Sequence, residues 1–265
     1  MLPLRDENHA RRPGVVTWAL IAACIVVYLF VQQQPGEVEV VPVEGVGGVE
    51  VDSSLSFTLE YAAVPCEVVQ GRPLTLVEVV DTFARGATES CADVAVGPAL
   101  FPGKNVWLAA LTSVFLHGSL AHLGGNMLFL WIFGNNVEDR MGHVRYLGFY
   151  LATGVLAAVA HVAVQPDSSI PVVGASGAIA GVMGTYLVLF PSARVTTLVI
   201  WIIPFVTSIS AAVVLGLWFV SQFFTAPDSS VAWMAHVAGF VVGVVAGLVM
   251  RAATAAGQPA RRAPW

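Results

Sequence analysis

What most constrains this chain is a succession of apolar runs, each about as long as a helix needs to cross a bilayer. They fall at Val15 to Val31, then at about Leu120 to Val137, Val144 to Val164, Ser176 to Phe190, Thr197 to Phe224 and Val231 to Met250. A spanning helix takes about 20 mostly apolar residues, so six runs read as six spans. Composition agrees: 57% of residues are hydrophobic, 11% are charged and the mean hydropathy is +0.78, where soluble domains average about 45–50% apolar and about 25% charged. An ordinary soluble enzyme and a disordered chain are both excluded. The net charge is -5 and the basic residues are mostly isolated, so no Lys/Arg stripe could follow a phosphate backbone, which excludes nucleic-acid binding. The expected class is an all-α polytopic membrane protein, a six-transmembrane-helix bundle with a long extracytoplasmic loop after the first helix.

The expected organisation is an N-terminal tail over 1–14, a first helix over 15–31, an insertion over 32–106, a core of five helices over 107–250 and a C-terminal tail over 251–265. The first run follows Arg5, Arg11 and Arg12, as in a signal peptide, but Gln32, Gln33, Gln34, Pro35 and Gly36 come after it instead of an A-x-A-like site. It therefore reads as an uncleaved helix. The insertion is acidic and rich in Val, Glu, Gly and Pro, without a 20-residue apolar run. The run beginning at Thr197 holds Pro204, so its first part is expected to be irregular or interfacial before the span proper begins. Arg5, Arg11, Arg12, Arg140, Arg145, Arg194, Arg251, Arg261 and Arg262 fall on or beside the side of the two termini, and only Arg72, Arg85 and Lys104 on the other. The positive-inside rule then makes both termini cytoplasmic and the insertion external. Arginine outnumbers lysine eleven to one, a composition that points to a GC-rich bacterium and hence to its inner membrane. Cys24 lies in the first span. Cys66 and Cys91 lie in the insertion, where an even pair in an oxidising compartment is more often bridged than free. Spacing does not exclude two thiols that never meet. If bridged, the pair is expected to leave the membrane helices indifferent, because it lies wholly within the loop.

Polar side chains at span depth are costly and default to functional candidates; four stand out here, His122, Asn126, Ser176 and His236. Each taken alone also fits interhelical hydrogen bonding. Ser176 sits in Gly174-Ala175-Ser176-Gly177-Ala178-Ile179-Ala180-Gly181 after the breaker-rich stretch Gln165 to Pro171, which places it in the first turn of a helix. Backbone N–H groups are unpaired there, and their partial positive charge favours a developing oxyanion. His236 is followed by Gly239, Gly243 and Gly247 on one helix face, and Gly177, Gly181 and Gly184 form a comparable stripe. If the stripes meet, Ser176 and His236 share a seam, although periodicity alone does not choose helix partners. No Asp or Glu completes a triad, because Asp228 is eight residues before His236, about 12 Å along a helix. The residues read as a Ser/His dyad in which His236 is general base and then general acid. His122 and Asn126, four apart, share a face suited to donating toward an oxyanion. A metal site with His117 is the competitor, but His117 and His122 would stand about 140° apart on a helix. Neither an HExxH motif nor a cysteine ligand accompanies them, so no metal or cofactor is expected.

At these residues the chain resembles the rhomboid family of intramembrane serine proteases. His117, His122 and Asn126 match an HxxxxHxxxN pattern, and Glu138, Arg140 and Gly142 an ExR-x-G end. Gly174 with Ser176-Gly177 matches GxSG, and Ala235-His236 with Gly239 and Gly243 matches AHxxGxxxG. The resemblance implies six helices around a site sunk below the outer surface and open to water. It makes Ser176 the nucleophile, His236 the base, and His122, Asn126 and the Ser176 amide the oxyanion donors, with Gly174, Gly177, His117 and Gly239 in support. It implies single-span membrane-protein substrates cleaved near their extracytoplasmic ends after a small residue. Two positions depart from the pattern. Trp107-Leu108-Ala109 stands where the family often has Trp-Arg, and Ala180 replaces an aromatic residue that stacks on the histidine. The ring must then be positioned from elsewhere, with Trp233, one turn earlier, a candidate. A non-catalytic rhomboid-like binder is the alternative, though it has no need of both Ser176 and His236. A transporter would show paired or inverted repeats, which the sequence lacks.

Overall fold

A computed structural model describes residues 1–33, 39–43, 47–51, 53–92, 95–200, 204–225 and 232–256. Gln34, Pro35, Gly36, Asp228, Arg261 and Arg262, used above to place boundaries and orientation, lie outside the described residues. The chain is mostly helical. Helix α1 (Val15–Val27) runs on through one π-helical turn, Tyr28–Gln32. In the insertion come α2 (Ser53–Tyr61), α3 (Pro65–Gln70) and α4 (Leu76–Phe83), preceded by a hairpin of β2 (Glu39–Val43) and β3 (Gly47–Val51). There follow α5 (Ala109–Thr112), α6 (Leu120–Met141), α7 (His143–Val164), α8 (Ser176–Leu189), α9 (Ala211–Ser221) and α10 (Trp233–Ala256). Among the described residues, three helical stretches, Val15–Gln32, α7 and α10, are long and apolar enough to cross a membrane, and two shorter apolar ones are α8 and Ala211–Phe224. Outward-facing residues such as Val26, Phe30, Leu156, Val159, Val220, Val245 and Val249 are exposed. An apolar surface on that scale belongs against lipid.

The ends of the helices are set by local chemistry. Glu138, almost fully buried near the end of α6, accepts hydrogen bonds from the backbone N–H groups of Val16 (2.9 Å) and Thr17 (2.8 Å) and from Thr17 Oγ1 (2.6 Å). A carboxylate thus closes the free, partly positive first turn of α1. Gly142, at φ +81°, separates α6 from α7, a conformation that glycine adopts at no steric cost. Ser119 caps α6 by accepting from the His122 N–H (3.1 Å).

Besides the β2–β3 hairpin, a second sheet departs from the all-α expectation. β4 (Arg194–Val199) and β5 (Phe205–Ser210) form an antiparallel hairpin, and β1 (Leu2–Asp6) pairs with β4 to complete a three-stranded sheet. The apolar run from Thr197 is therefore strand first, and its helix begins only at Ala211. β-Branched residues dominate β4, with Val195 and Thr197 buried on alternate positions, the period of a half-buried strand. Residues expected as a free tail supply β1. Its Asp6 accepts from Asn136 Nδ2 (2.7 Å) and Tyr186 Oη (2.6 Å), fastening the sheet to α6 and α8.

The insertion has its own small core of Leu59, Val64, Cys66, Leu74 and Val79. Cys66 and Cys91 are joined by a disulfide with Cα atoms 6.2 Å apart, a normal span. Lys104, the chain's one lysine, is buried in an ion pair with Glu67. Insertion residues Ala63 and Val68 pack with Ala109, Ala110, Ala158 and Val162. Ala63 also bridges to Val172, whose N–H donates to its carbonyl at 2.8 Å. The Cys66 N–H donates to Ser168 O (3.1 Å) and the Ser169 N–H to Thr88 O (2.8 Å). The expected indifference of the helices rested on the bridge lying wholly within the loop, and that loop is itself hydrogen-bonded to the segment leading into Ser176.

Candidate active site

Ser176 is the first residue of α8, whose first flanking backbone bond runs from the Ile179 N–H to Ala175 O (2.9 Å). The amides of Ser176 and Gly177 therefore lie in the free first turn. The approach is fixed by Gly174, at φ +123°, whose N–H donates to Ser113 O (3.0 Å). The point where a Gly174 Cβ would sit is 2.9 Å from His122 Nε2 and 3.6 Å from Ser176 Oγ. Only a glycine lets the loop pass between that ring and the serine.

The two glycine stripes do face each other, and α8 with α10 is the most extensively packed pair of helices. A Cβ on Gly239 would lie 2.1 Å from Gly177 O, one on Gly243 1.9 Å from Gly181 O, and one on Gly184 2.2 Å from Phe240 O. Backbone meets backbone along the seam, as small residues in membrane helices allow. At its upper end His236 Nε2 lies 2.8 Å from Ser176 Oγ. His236 Nδ1 lies 2.7 Å from Gln222 Oε1, and the Trp218 ring packs 5.8 Å from the imidazole. Trp233 does not take the place of the missing aromatic, since its ring partner is Phe223 at 6.2 Å. Gln222 and Trp218 escaped the sequence reading because they sit at the end of an apolar run. The available signal was a glutamine near the end of a mostly apolar run, which the structure buries.

Asn126 is buried one turn beyond His122, and its Nδ2 has no protein partner among the described residues. A buried donor without an acceptor is uncommon and is free to receive an oxyanion. His117 is fully buried with its ring 5.3 Å from that of His122. Its backbone is gripped twice by Gln32, through Nε2 to His117 O (2.8 Å) and Oε1 from the His117 N–H (3.0 Å). The loop lacking the Trp-Arg pair is held instead by Asn105 Oδ1, which accepts from the N–H groups of Trp107 (3.2 Å) and Leu108 (3.0 Å).

Residues 104–253 match the family model of the rhomboid domain. The chain is 42% identical over 81 residues to the rhomboid protease GluP of Bacillus subtilis, covering 31% of this chain and 15% of that protein. It is 38% identical over 82 residues to rhomboid-like protein 11, chloroplastic, of Arabidopsis thaliana, covering 31% and 29%. Over 92 residues it is 30% identical to rhomboid protein 1, mitochondrial, of Saccharomyces cerevisiae, covering 33% and 27%. The matched segments thus span under a third of each of these relatives. The domain match takes in more than half of the chain, including His122, Asn126, Ser176 and His236, and the chain belongs to the rhomboid family.

Proposed function

We propose that this protein is an intramembrane serine endopeptidase with Ser176 as nucleophile and His236 as general base. The observation that carries the reading is the 2.8 Å contact between Ser176 Oγ and His236 Nε2 at the free first turn of a helix. As Oγ attacks a peptide carbonyl, its proton passes to Nε2. The oxyanion is received by the Ser176 N–H, Asn126 Nδ2 and His122. His236 then returns the proton to the leaving amine, and water hydrolyses the acyl-enzyme by the reverse sequence. Six spans are proposed, α1, α6, α7, α8, Ala211–Phe224 and α10, within the 15–31 and 107–250 segments. With 14 residues α8 is about 21 Å long, short of the ~30 Å hydrocarbon core, which supports a site sunk below one surface. A cavity of about 20 Å³ beside Ser176, lined by Gly154, Ala157, Ala158 and Ala235, has room for about one water and favours a small residue at the cleaved position. Substrates are single-span membrane proteins, and the location is a bacterial inner membrane with both termini cytoplasmic.

The test is incubation of detergent-purified protein with a panel of labelled transmembrane peptides, beside Ser176→Ala and His236→Ala. Both variants should be inactive yet folded, and a fluorophosphonate should label the parent protein but not Ser176→Ala. Labelling that persists in Ser176→Ala would move the nucleophile elsewhere.

A further inference from the structure

Gln222 has no part in the proton transfers above, yet it meets the far side of the His236 ring. It opens the 3-10 turn Gln222–Phe224 that continues α9, fourteen residues before the histidine. Its amide can be oriented from its partners. Nε2 donates to Trp218 O (2.9 Å) and Ser221 Oγ (3.1 Å), and a carbonyl oxygen only accepts, so that end must be the NH2 group. Oε1 is therefore the atom 2.7 Å from His236 Nδ1. An amide oxygen has no proton to give, so Nδ1 must carry the ring hydrogen. Nε2 is left with its lone pair toward Ser176 Oγ. Trp218 supports both partners, through its ring beside the imidazole and its carbonyl on the glutamine amide.

We propose that Gln222 is a positioning residue that locks His236 in the Nδ1–H tautomer, as a neutral counterpart of the carboxylate in a Ser-His-Asp triad. The proposal rests on the reading of Ser176 and His236 as nucleophile and base. In such a triad the third residue orients the ring and fixes its tautomer without taking the proton itself, and an amide oxygen suffices for both tasks. It differs in charge: a carboxylate stabilises the imidazolium strongly, an amide weakly. Among the described residues, the titratable groups acting on His236 are His122 from α6 and His161 from α7, and neither is a carboxylate. In this chain the orienting function thus passes to the end of α9, where the family's stacking aromatic on α8 is replaced by Ala180.

Two substitutions separate this role from simple packing, because both remove the Nε2 donor and only one keeps an acceptor. Gln222→Met should lower kcat about 10-fold with little change in KM, the equivalent of about 1.4 kcal/mol. Gln222→Glu should recover most of that kcat, and the acid limb of its pH–rate profile should move up by about one pH unit, because the carboxylate favours the protonated ring. The pH dependence of fluorophosphonate labelling should shift in parallel. If the glutamine served only to brace Trp218 O, Glu and Met variants would be equally impaired and the acid limb would stay in place, which would overturn the proposal. A Met variant with kcat within twofold of the parent would overturn it as well. Should Gln222→Met fail to fold, the shift of the acid limb in Gln222→Glu decides alone. Undiminished cleavage by Ser176→Ala is a separate outcome and would remove the nucleophile reading beneath it.

Discussion

Gly243→Ala sets two effects of opposite sign against each other. Helix propensity alone favours alanine over glycine in a helix interior by about 1 kcal/mol. At Gly243, however, the new Cβ would lie 1.9 Å from Gly181 O, and real Cβ atoms essentially never approach within 3.0 Å. The seam must therefore open from 1.9 Å to at least 3.0 Å, by about 1.1 Å, and the obstacle is backbone, which cannot rotate away. Overpacking of this kind costs about 1–3 kcal/mol, so the net effect on stability should be a loss. The effect on chemistry should be larger. Gly243 lies two turns from His236, and the Ser176–His236 contact at 2.8 Å has only about 0.4 Å of slack before it leaves the usual hydrogen-bond range. If even half of the opening reaches that end of the helix, the contact breaks. A misplacement near 1 Å costs about 10²-fold in rate, and that is the expected fall in kcat. Thermal unfolding in detergent, peptide cleavage and fluorophosphonate labelling measure the two quantities on the same sample. Gly216→Ala is the control: its Cβ would meet nothing within 4 Å, so it should keep full activity and gain a little stability. A Gly243→Ala protein with a raised Tm and kcat within twofold of the parent would refute the packing argument.

Asn126→Ala deletes a buried donor that has no protein partner among the described residues, so Tm should hold or rise while kcat falls about 10²-fold or more; a raised KM with intact kcat would assign Asn126 to substrate binding instead. Replacing Cys66 and Cys91 together with serine opens a link between residues 25 apart, worth about 3 kcal/mol on the chain-entropy model. Limited proteolysis should show the insertion loosening, and kcat should fall several-fold because Ala63 and Cys66 hold the loop before Ser176; a loosened insertion with unchanged kcat would show that grip to be dispensable. In acid the insertion should weaken through Glu78. Burial works against its ionised form, but Arg72 and the N–H groups of Thr75 and Ala92 outweigh this and hold its carboxyl at about 2, below the ordinary 4.5. A depressed folded-state value means that the unfolded chain takes up the proton first. The stabilisation is therefore complete above about pH 4.5 and lost as pH falls from there toward 2. Protease sensitivity of the insertion followed over that window should track this loss and should flatten in Glu78→Gln.

The seam was legible because its signals are local. A serine behind a run of breakers and glycines at helical spacing need only one element each to be recognised, and the structure brings the two stripes together. What escaped required knowledge of a partner. Gln222 meets a ring fourteen residues later, and Glu138 matched a motif although the α1 turn that it caps lies about 120 residues back in the chain. The sheet was hidden by a different cause. Thr197 to Phe224 is mostly apolar, and hydropathy does not separate a buried strand from a helix. The separating feature was the β-branched alternation over Arg194–Val199, and β1, its edge partner, sits in five residues too short to declare themselves.

The elements that were hardest to read are those that fix α8. A 14-residue helix carrying the proposed nucleophile in its first turn is badly placed to hold that group still, since helix ends fray and have few neighbours. Here each part of the helix has a separate restraint. Near its C-terminal end, Tyr186 donates to Asp6 of the strand β1. Along its middle, Gly181 and Gly184 lie directly against the backbone of α10. Before its first turn, Gly174 is tied to Ser113, and Val172 to Ala63 of the insertion. The sheet and the insertion, which hydropathy presents as a tail and a loop, thus supply the end restraints that lipid-facing helices cannot. Lipid gives no hydrophobic drive between helices, so a contact held at 2.8 Å needs directional bonds at both ends of the helix that carries it.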